Sequence, residues 1–281
     1  MEEKGILYLC ATPIGNLEDI TLRVLRILKE ADLIAAEDTR NSIKLLNHFD
    51  IRTPMTSYHE YNKVDKARAL VGKMLSGAVV ALITDAGTPG ISDPGEELVV
   101  QCHEAGIRVV PVPGPAACIS ALIMSGQPTR RFAFEAFLPS DKKERAAVLG
   151  ELQGETRTIV LYEAPHHLVG TLGELEEVLG GDRELTVCRE LTKRHEDSWR
   201  TTLHEAAVLY GSQEPRGEFV LVIHGRSRED LEEESRRQWD GLSIEEHVGL
   251  YEKQGAARKE AMRMVARDRG LSRRDVYQAL L

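Results

Sequence analysis

Three times before residue 118, an apolar run of strand length breaks into a loop of glycine, proline and small polar residues and then into a helical pattern. Residues 5–10 (GILYLC) lead into 11–21 (ATPIGNLEDIT), 78–84 into 84–95 (TDAGTPGISDPG), and 107–112 into 112–117 (VPGPAA). Residues 33–36 read as a further strand, and 21–30, 39–49, 63–75 and 95–105 as helices. The first of these helices carries Leu22, Leu25 and Leu28 on one face, and the last is closed by Gly106. Parallel strands need a crossover, usually a helix, so this order predicts a mostly parallel α/β sheet with helices on its faces.

The segment PVPGP (111–115) ends one strand and starts a helix that runs through Met124. A second α/β run follows, with strands expected at 132–137, 158–162, 185–189 and 219–224. The predicted organisation is an N-terminal α/β domain over 1–115 and a second over 116–227. A charged linker or solvated helix (REDLEEESRRQWD, 228–240) then leads to a basic helical appendage over 241–281. At 281 residues and 42% apolar content, the chain can bury two ordinary cores.

Thirty-six basic against 45 acidic residues give a net charge of −9. General cationic attraction to nucleic acid or anionic lipid is excluded, so an RNA contact needs a local basic patch. The longest apolar runs fall far short of the ~20 residues of a membrane helix, and Met1-Glu2-Glu3-Lys4 does not open a secretory signal. The cysteines (Cys10, Cys102, Cys118, Cys188) form no C-x-x-C pair and sit in apolar runs. They read as buried, reduced thiols of a cytosolic protein, and a zinc knuckle is not expected.

The loop at 84–95 is the strongest functional signal. Its twelve residues exceed the usual connection of about 4–6, and it leaves the carboxyl end of a buried strand, where α/β sheets bind ligands. A wide turn capped by Asp93 before Pro94 is the alternative. Gly87 and Gly90 permit backbone conformations that a Cβ would block. Neither G-x-G-x-x-G nor Gly-Lys-Ser/Thr occurs, which disfavours a common dinucleotide or triphosphate site. In the first loop Gly15 gives room, Asn16 and Asp19 give polar contacts, and Thr21 caps the next helix.

These motifs, with AAEDTRNS (35–42), VVPVPGPAA (109–117), FEAFLP (134–139), LYEAPHHL (161–168), CRELTKRHE (188–196) and GEFVLVI (217–223), resemble the tetrapyrrole-methylase superfamily of S-adenosylmethionine-dependent methyltransferases. The resemblance spans roughly residues 5–225. The D-A-G-T-P-G form of 85–90 is similar to the RNA-modifying branch rather than to the tetrapyrrole enzymes, which carry a G-D-P type loop. His167 departs from the pattern Y-E-x-P-H-R, which has arginine there.

The resemblance implies two α/β domains of the class III methyltransferase type with the cofactor in the cleft between them, a homodimer and no metal. It implies that Asp85, Ala86, Gly87, Thr88, Pro89, Gly90 and Ile91, with Pro113, Gly114, Ala116 and Ala117, line S-adenosylmethionine. Tyr162, Leu191, Gly217, Glu218 and Phe219 would close the cleft from the second domain. The implied reaction is 2′-O-methylation of a decoding-region cytidine ribose in small-subunit ribosomal RNA.

Attack of a ribose hydroxyl on a methyl sulfonium is helped by a group that takes the hydroxyl proton. The densest titratable cluster supplies the candidates: Lys193 first, then His195, Glu190 and Glu196. In an extended segment Lys193 and His195 would share one face, and a nearby sulfonium would lower the lysine's proton affinity. Asp38 and Arg40 are candidate substrate contacts, although Asp38 also suits a helix cap. His166 and His167 point apart on a helix, which disfavours a metal. His59 with Tyr58 and Tyr61 suits base stacking or an aromatic core edge equally.

Between Lys253 and Arg274 lie eight basic and two acidic residues, a net of +6 in an acidic chain. Lys259, Arg263 and Arg267 fall on one helical face, as an RNA-binding surface or the solvated side of a small bundle. Two rival functions remain: a small-molecule, tetrapyrrole-type methyltransferase of the same fold, and a non-catalytic RNA-binding assembly factor. Acceptor pocket and basic tail distinguish the first, and cofactor binding the second.

Overall fold

A computed structural model of the chain describes residues 4–281, with side chains at 228, 232, 234 and 235 outside the description. The Met1–Glu3 start, on which the reading of no secretory signal partly rests, lies outside the described residues. The first half contains β1 (Ile6–Cys10), α1 (Leu22–Glu30), β2 (Leu33–Ala36), α2 (Thr39–His48), β3 (Met55–Ser57), α3 (Lys63–Leu75), β4 (Val80–Ile83), α4 (Gly95–Glu104) and β5 (Arg108–Val112). Its sheet is entirely parallel, in the order β3-β2-β4-β1-β5. Helices cover both faces, so β4 (VALI) is buried along its whole length and shows no polar alternation. Val24, Ile27, Leu28 and Leu46 pack on one face, and Leu70, Met74, Leu98 and Cys102 on the other. A short 3₁₀ turn at Leu17–Asp19 lies in the loop after β1, and Thr21 caps α1 through the Val24 amide.

The second half contains α5 (Ala117–Ser125), β6 (Phe132–Ala136), α6 (Lys142–Gln153), β7 (Thr158–Glu163), α7 (Pro165–Leu179), β8 (Glu184–Arg189), β9 (Asp197–Thr202), α8 (Leu203–Gly211) and β10 (Phe219–Ile223). Its sheet runs β6-β7-β10-β8-β9 and is mixed: only β6 and β7 are parallel, and the other pairs are antiparallel. The β8–β9 pair explains why strand-helix alternation is not the whole pattern. The chain returns through residues 190–196 with no crossover, and such a connection joins only antiparallel strands. Cys118, Ala121 and Leu122 of α5 pack on Val160, Cys188, Val220 and Val222, so this helix belongs to the second sheet.

Residues 228–237 form a helix, α9 (Arg228–Arg237). Beyond it α10 (Ile244–Lys253), α11 (Arg258–Asp268) and α12 (Arg273–Gln278) bury Val248, Ala261, Val265 and Val276 around a small core. Ser243 and Ser272 each form a capping box, with Glu246 and Asp275. Arg269 is turned inward there: its guanidinium donates to the carbonyls of Trp239 and Leu242. All four cysteines are buried and free, and among the described residues no helix is long and apolar enough to cross a membrane.

Candidate active site

The loops that follow β1, β4 and β5 meet at the carboxyl edge of the first sheet. The backbones of Thr12 and Gly87 bond to each other in both directions, at 2.8 and 3.0 Å. Thr88 Oγ1 donates to the Pro115 carbonyl at 3.0 Å, which joins the second loop to the third. Gly87 sits at φ +84°, a left-handed conformation in which a side chain is strained. From the second sheet, the Tyr162 hydroxyl accepts the Cys118 amide at 3.1 Å and so fastens the start of α5. Burial pushes that phenol's pKa upward, which keeps it a neutral fastener.

Between these walls lies a cleft of about 530 Å³, within the range of about 300–1,000 Å³ typical of small-molecule sites. The first half contributes Ile14, Glu37, Thr84, Asp85, Ala86, Gly87, Thr88, Ile91, Ser92, Asp93, Ala116 and Ala117. The second contributes Phe137, Tyr162, Glu163, Ala164, Pro165, Leu191, Glu218, Phe219 and Val220. Phe137 meets Tyr162 edge-on at 5.7 Å and forms part of an apolar floor. Five carboxylates and no lysine or arginine line the cavity among the described residues.

Eleven of the sixteen expected cofactor residues line this cleft: Asp85, Ala86, Gly87, Thr88, Ile91, Ala116, Ala117, Tyr162, Leu191, Glu218 and Phe219. Pro89, Gly90, Pro113, Gly114 and Gly217 do not, and three of them serve the walls from behind. The Gly90 amide donates to Asp93. A Cβ on Gly114 would come 2.8 Å from that of Ala11, and one on Gly217 would come 2.5 Å from Glu190 Cγ. Sequence reasoning missed Glu163 and Phe137, and within the candidate stretch 37–41 it chose Asp38 and Arg40 over Glu37. Glu37, Glu163 and Phe137 each end a strand or lie one residue beyond it, the position from which α/β sheets present ligand-binding groups.

The expected catalytic cluster is placed differently. Residues 190–196 are a tight turn with Glu190 and Thr192 at φ +51° and +64°, so Lys193 and His195 do not share an extended face. None of Lys193, His195, Glu190 or Glu196 lines the cleft. Lys193 Nζ lies 2.9 Å from both Glu190 and Glu218. Desolvation lowers its proton affinity, but the hydrogen bonds it donates to Glu190 and Glu218 outweigh this and the net shift is upward. In the chain alone Lys193 is therefore a paired ammonium. Glu196 accepts the Thr192 amide within the turn, and His195 is exposed.

Asp38 caps α2 through the Arg40 amide at 2.8 Å and clasps the Arg40 guanidinium with both oxygens. Hydrogen bonds from that side chain and amide hold its carboxyl down at about 2. Arg40 is 88% exposed beside the cleft rather than in it. Lys259, Arg263 and Arg267 are exposed on α11, and the two arginines border a hollow of about 500 Å³ with Arg273. Tyr58 is buried and donates to the Pro94 carbonyl, a structural role, whereas Tyr61 is fully open to solvent. His166 and His167 are exposed with their rings 4.1 Å apart.

Residues 6–207 match the profile of the tetrapyrrole (corrin/porphyrin) methylases. A Synechocystis protein named ribosomal RNA small subunit methyltransferase I is 49% identical over 277 residues, covering 99% of this chain and 98% of its own. The crystal structure of diphthine synthase shares the fold, with a TM-score of 0.63 and 13% identity over 78% of this chain and 90% of that one. So does uroporphyrin-III C-methyltransferase from Thermus thermophilus, solved with S-adenosyl homocysteine, with a TM-score of 0.55 and 23% identity over 78% of this chain and 97% of that one.

Proposed function

The chain belongs to the tetrapyrrole (corrin/porphyrin) methylase family, and from that premise we propose that it is an S-adenosylmethionine-dependent methyltransferase acting on the 2′-oxygen of a cytidine ribose in small-subunit ribosomal RNA. The observation that carries the reading is the charge of the cleft: five carboxylates, no basic side chain and an apolar floor among the described residues. That lining suits a ligand with an aromatic base and a cationic sulfur, and it is unfavourable for a polyanion. When bound, the cofactor supplies an electrophilic methyl on a sulfonium.

The chain's own residues do the rest. Ile14, Phe137, Tyr162 and Leu191 would offer apolar surface to an adenosine and exclude water. Asp85, whose carboxylate is held by the Asp38 amide and by Asn41, would offer a fixed negative charge to a cationic sulfur in the cleft. Thr88 and Gly87, braced by Pro115 and Thr12, hold the loop to this shape before the ligand arrives.

The same charge argues against an acidic macrocycle as acceptor, because its carboxylates would face those of the cleft. A polynucleotide meets cations outside it, at exposed Arg40 and along Arg263 and Arg267 of α11. Only the target ribose then needs to enter. The 49% identity to a ribosomal RNA methyltransferase along nearly the whole chain supports the same choice. Comparing ribose methylation of small-subunit ribosomal RNA from cells with and without the protein tests the reading, and an identical map in the two would refute it. An assembly factor without catalysis need not bind S-adenosylmethionine, so calorimetry separates that reading. We further propose a homodimer acting in the cytoplasm, which sedimentation and fractionation would check.

A further inference from the structure

Of the five cleft carboxylates, four are already engaged. Asp93 accepts the amides of Gly90, Ile91 and Gly95. Asp85 accepts from the Asp38 amide at 3.2 Å and from Asn41 at 3.4 Å. Glu163 is held by the Ala164 amide at 2.8 Å and by Thr171 Oγ1 at 2.5 Å. Glu218 is paired with Lys193 at 2.9 Å. Glu37 differs: its one hydrogen bond is a long contact of 3.5 Å from the Asp85 amide, and no cation pairs with it among the described residues. It is half-buried at the carboxyl end of β2, where its side chain forms part of the cleft wall.

We propose that Glu37 is the group that accepts the proton of the ribose 2′-hydroxyl. This inference rests on the methyl-transfer reading given above. As the hydroxyl oxygen forms its bond to the methyl carbon, its proton passes to a Glu37 carboxylate oxygen. The carbon–sulfur bonding pair stays on sulfur, which leaves as a neutral thioether. The proton passes from Glu37 to water once the methylated RNA has departed.

The surroundings fit that task. Burial raises the proton affinity of Glu37 first; the Asp85 amide offsets part of this, and the charges of Asp85, Asp93 and Asp38 raise it again. Arg40, the cation nearest in sequence, is clasped by Asp38 and does not relieve that crowding. Across the cleft the carboxyl groups are Glu163, held by the Ala164 amide and Thr171, and Glu218, paired with Lys193. A carboxylate held this way takes up a proton more readily than an ordinary one, as a general base requires. The saturated neighbours would have to break existing bonds first.

The test is Glu37→Gln in the full chain, assayed with labelled S-adenosylmethionine and unmethylated small subunits. Single-turnover transfer should fall by about 100-fold or more, while affinities for cofactor and RNA stay within about threefold of the original. The original protein's rate should rise with pH as Glu37 ionises, and that acid limb should vanish in the variant. Independently of turnover, ¹³C-glutamate resonances of the unliganded protein should show Glu37 titrating above its usual 4.5. Full transfer by Glu37→Gln, an acid limb that persists in it, or a Glu37 midpoint at or below 4.5 would each overturn the proposal alone. If the original protein binds the cofactor but methylates no ribose, the methyl-transfer reading itself fails and takes this one with it.

Discussion

The ammonium of Lys193 lies 2.9 Å from the carboxylate of Glu218, and this contact ties the β8–β9 turn to the residue that precedes β10. Lys193 also holds Glu190 at 2.9 Å, and its stem packs so closely on Gly15 that a Cβ there would meet Lys193 Cγ at 2.3 Å. Lys193 therefore joins the first loop, the turn and the edge of β10 from behind the cleft. These contacts brace the wall that Leu191, Glu218 and Phe219 form along the cleft.

Replacing Lys193 with methionine should loosen that wall. Stability should fall by about 1–2 kcal/mol, the scale of losing a partly buried ion pair and leaving a carboxylate unpaired. Cofactor affinity should fall several-fold, while the rate at saturating cofactor changes by less than about tenfold. Calorimetry and single-turnover kinetics separate the two effects. A collapse of the rate with cofactor binding intact would place the lysine in the chemistry instead.

The same pair fixes a pH dependence. Glu190 is shifted below its usual 4.5 chiefly by the hydrogen bond from Lys193, so its contribution is complete above 4.5 and is lost as pH falls through the lowered value. Lys193 is shifted above 10.5, so its contribution is complete below 10.5 and is lost as pH rises through the raised value. The stability difference between the original protein and Lys193→Met should be flat between these limits and shrink outside them. Urea midpoints across pH measure it, and a difference that grows below pH 4.5 would contradict the assignment.

Gly87 constrains the central loop through its backbone. A Cβ there would find Ile14 Cγ2 at 3.4 Å and Pro115 O at 3.8 Å, so steric overlap is slight and the cost lies in φ +84°. Gly87→Val should cost about 1–3 kcal/mol in backbone strain. By disturbing the Thr12 bridge it should also weaken S-adenosylmethionine binding at least tenfold. A folded variant with unchanged cofactor affinity would remove this loop from the site.

The three ligand loops were legible because glycine and proline mark where strands end, and the deeper strands because β4 and β10 are continuously apolar. β3 and β9 were not: both are edge strands, one of three residues and the other the polar DSWRTT, with no buried face to impose a pattern. The turn at 190–196 was misread because its left-handed positions are held by Glu190 and Thr192 rather than by glycine or asparagine. Glu37 stands out only as one of the polar stretch 37–41, and Glu163 carries no local signal. Each looks like a strand-end polar residue until a parallel sheet and a mixed one set them into the same cleft.

Arg263 and Arg267 are 58% and 76% exposed, with Glu260 and Asp268 as their own-helix partners. Reversing both charges should weaken binding to small-subunit ribosomal RNA. The slope of log affinity against log salt should become shallower by about 1–2, because each phosphate left without its arginine keeps its counterion. Cofactor affinity should not move. Filter binding at several salt concentrations decides, and an unaltered slope would make this face a solvated surface only.

The central claim is transfer of a methyl group to a ribose oxygen, and its most direct test is the position of the label. Purified protein is incubated with methyl-labelled S-adenosylmethionine and small subunits from cells lacking the activity, and the RNA is digested and mapped by mass. The account predicts one methyl on the 2′-oxygen of a single cytidine, and about a hundredfold slower labelling of that nucleotide when Glu37→Gln replaces the original protein. Label on a base, or on a small molecule or protein in place of the RNA, would contradict it.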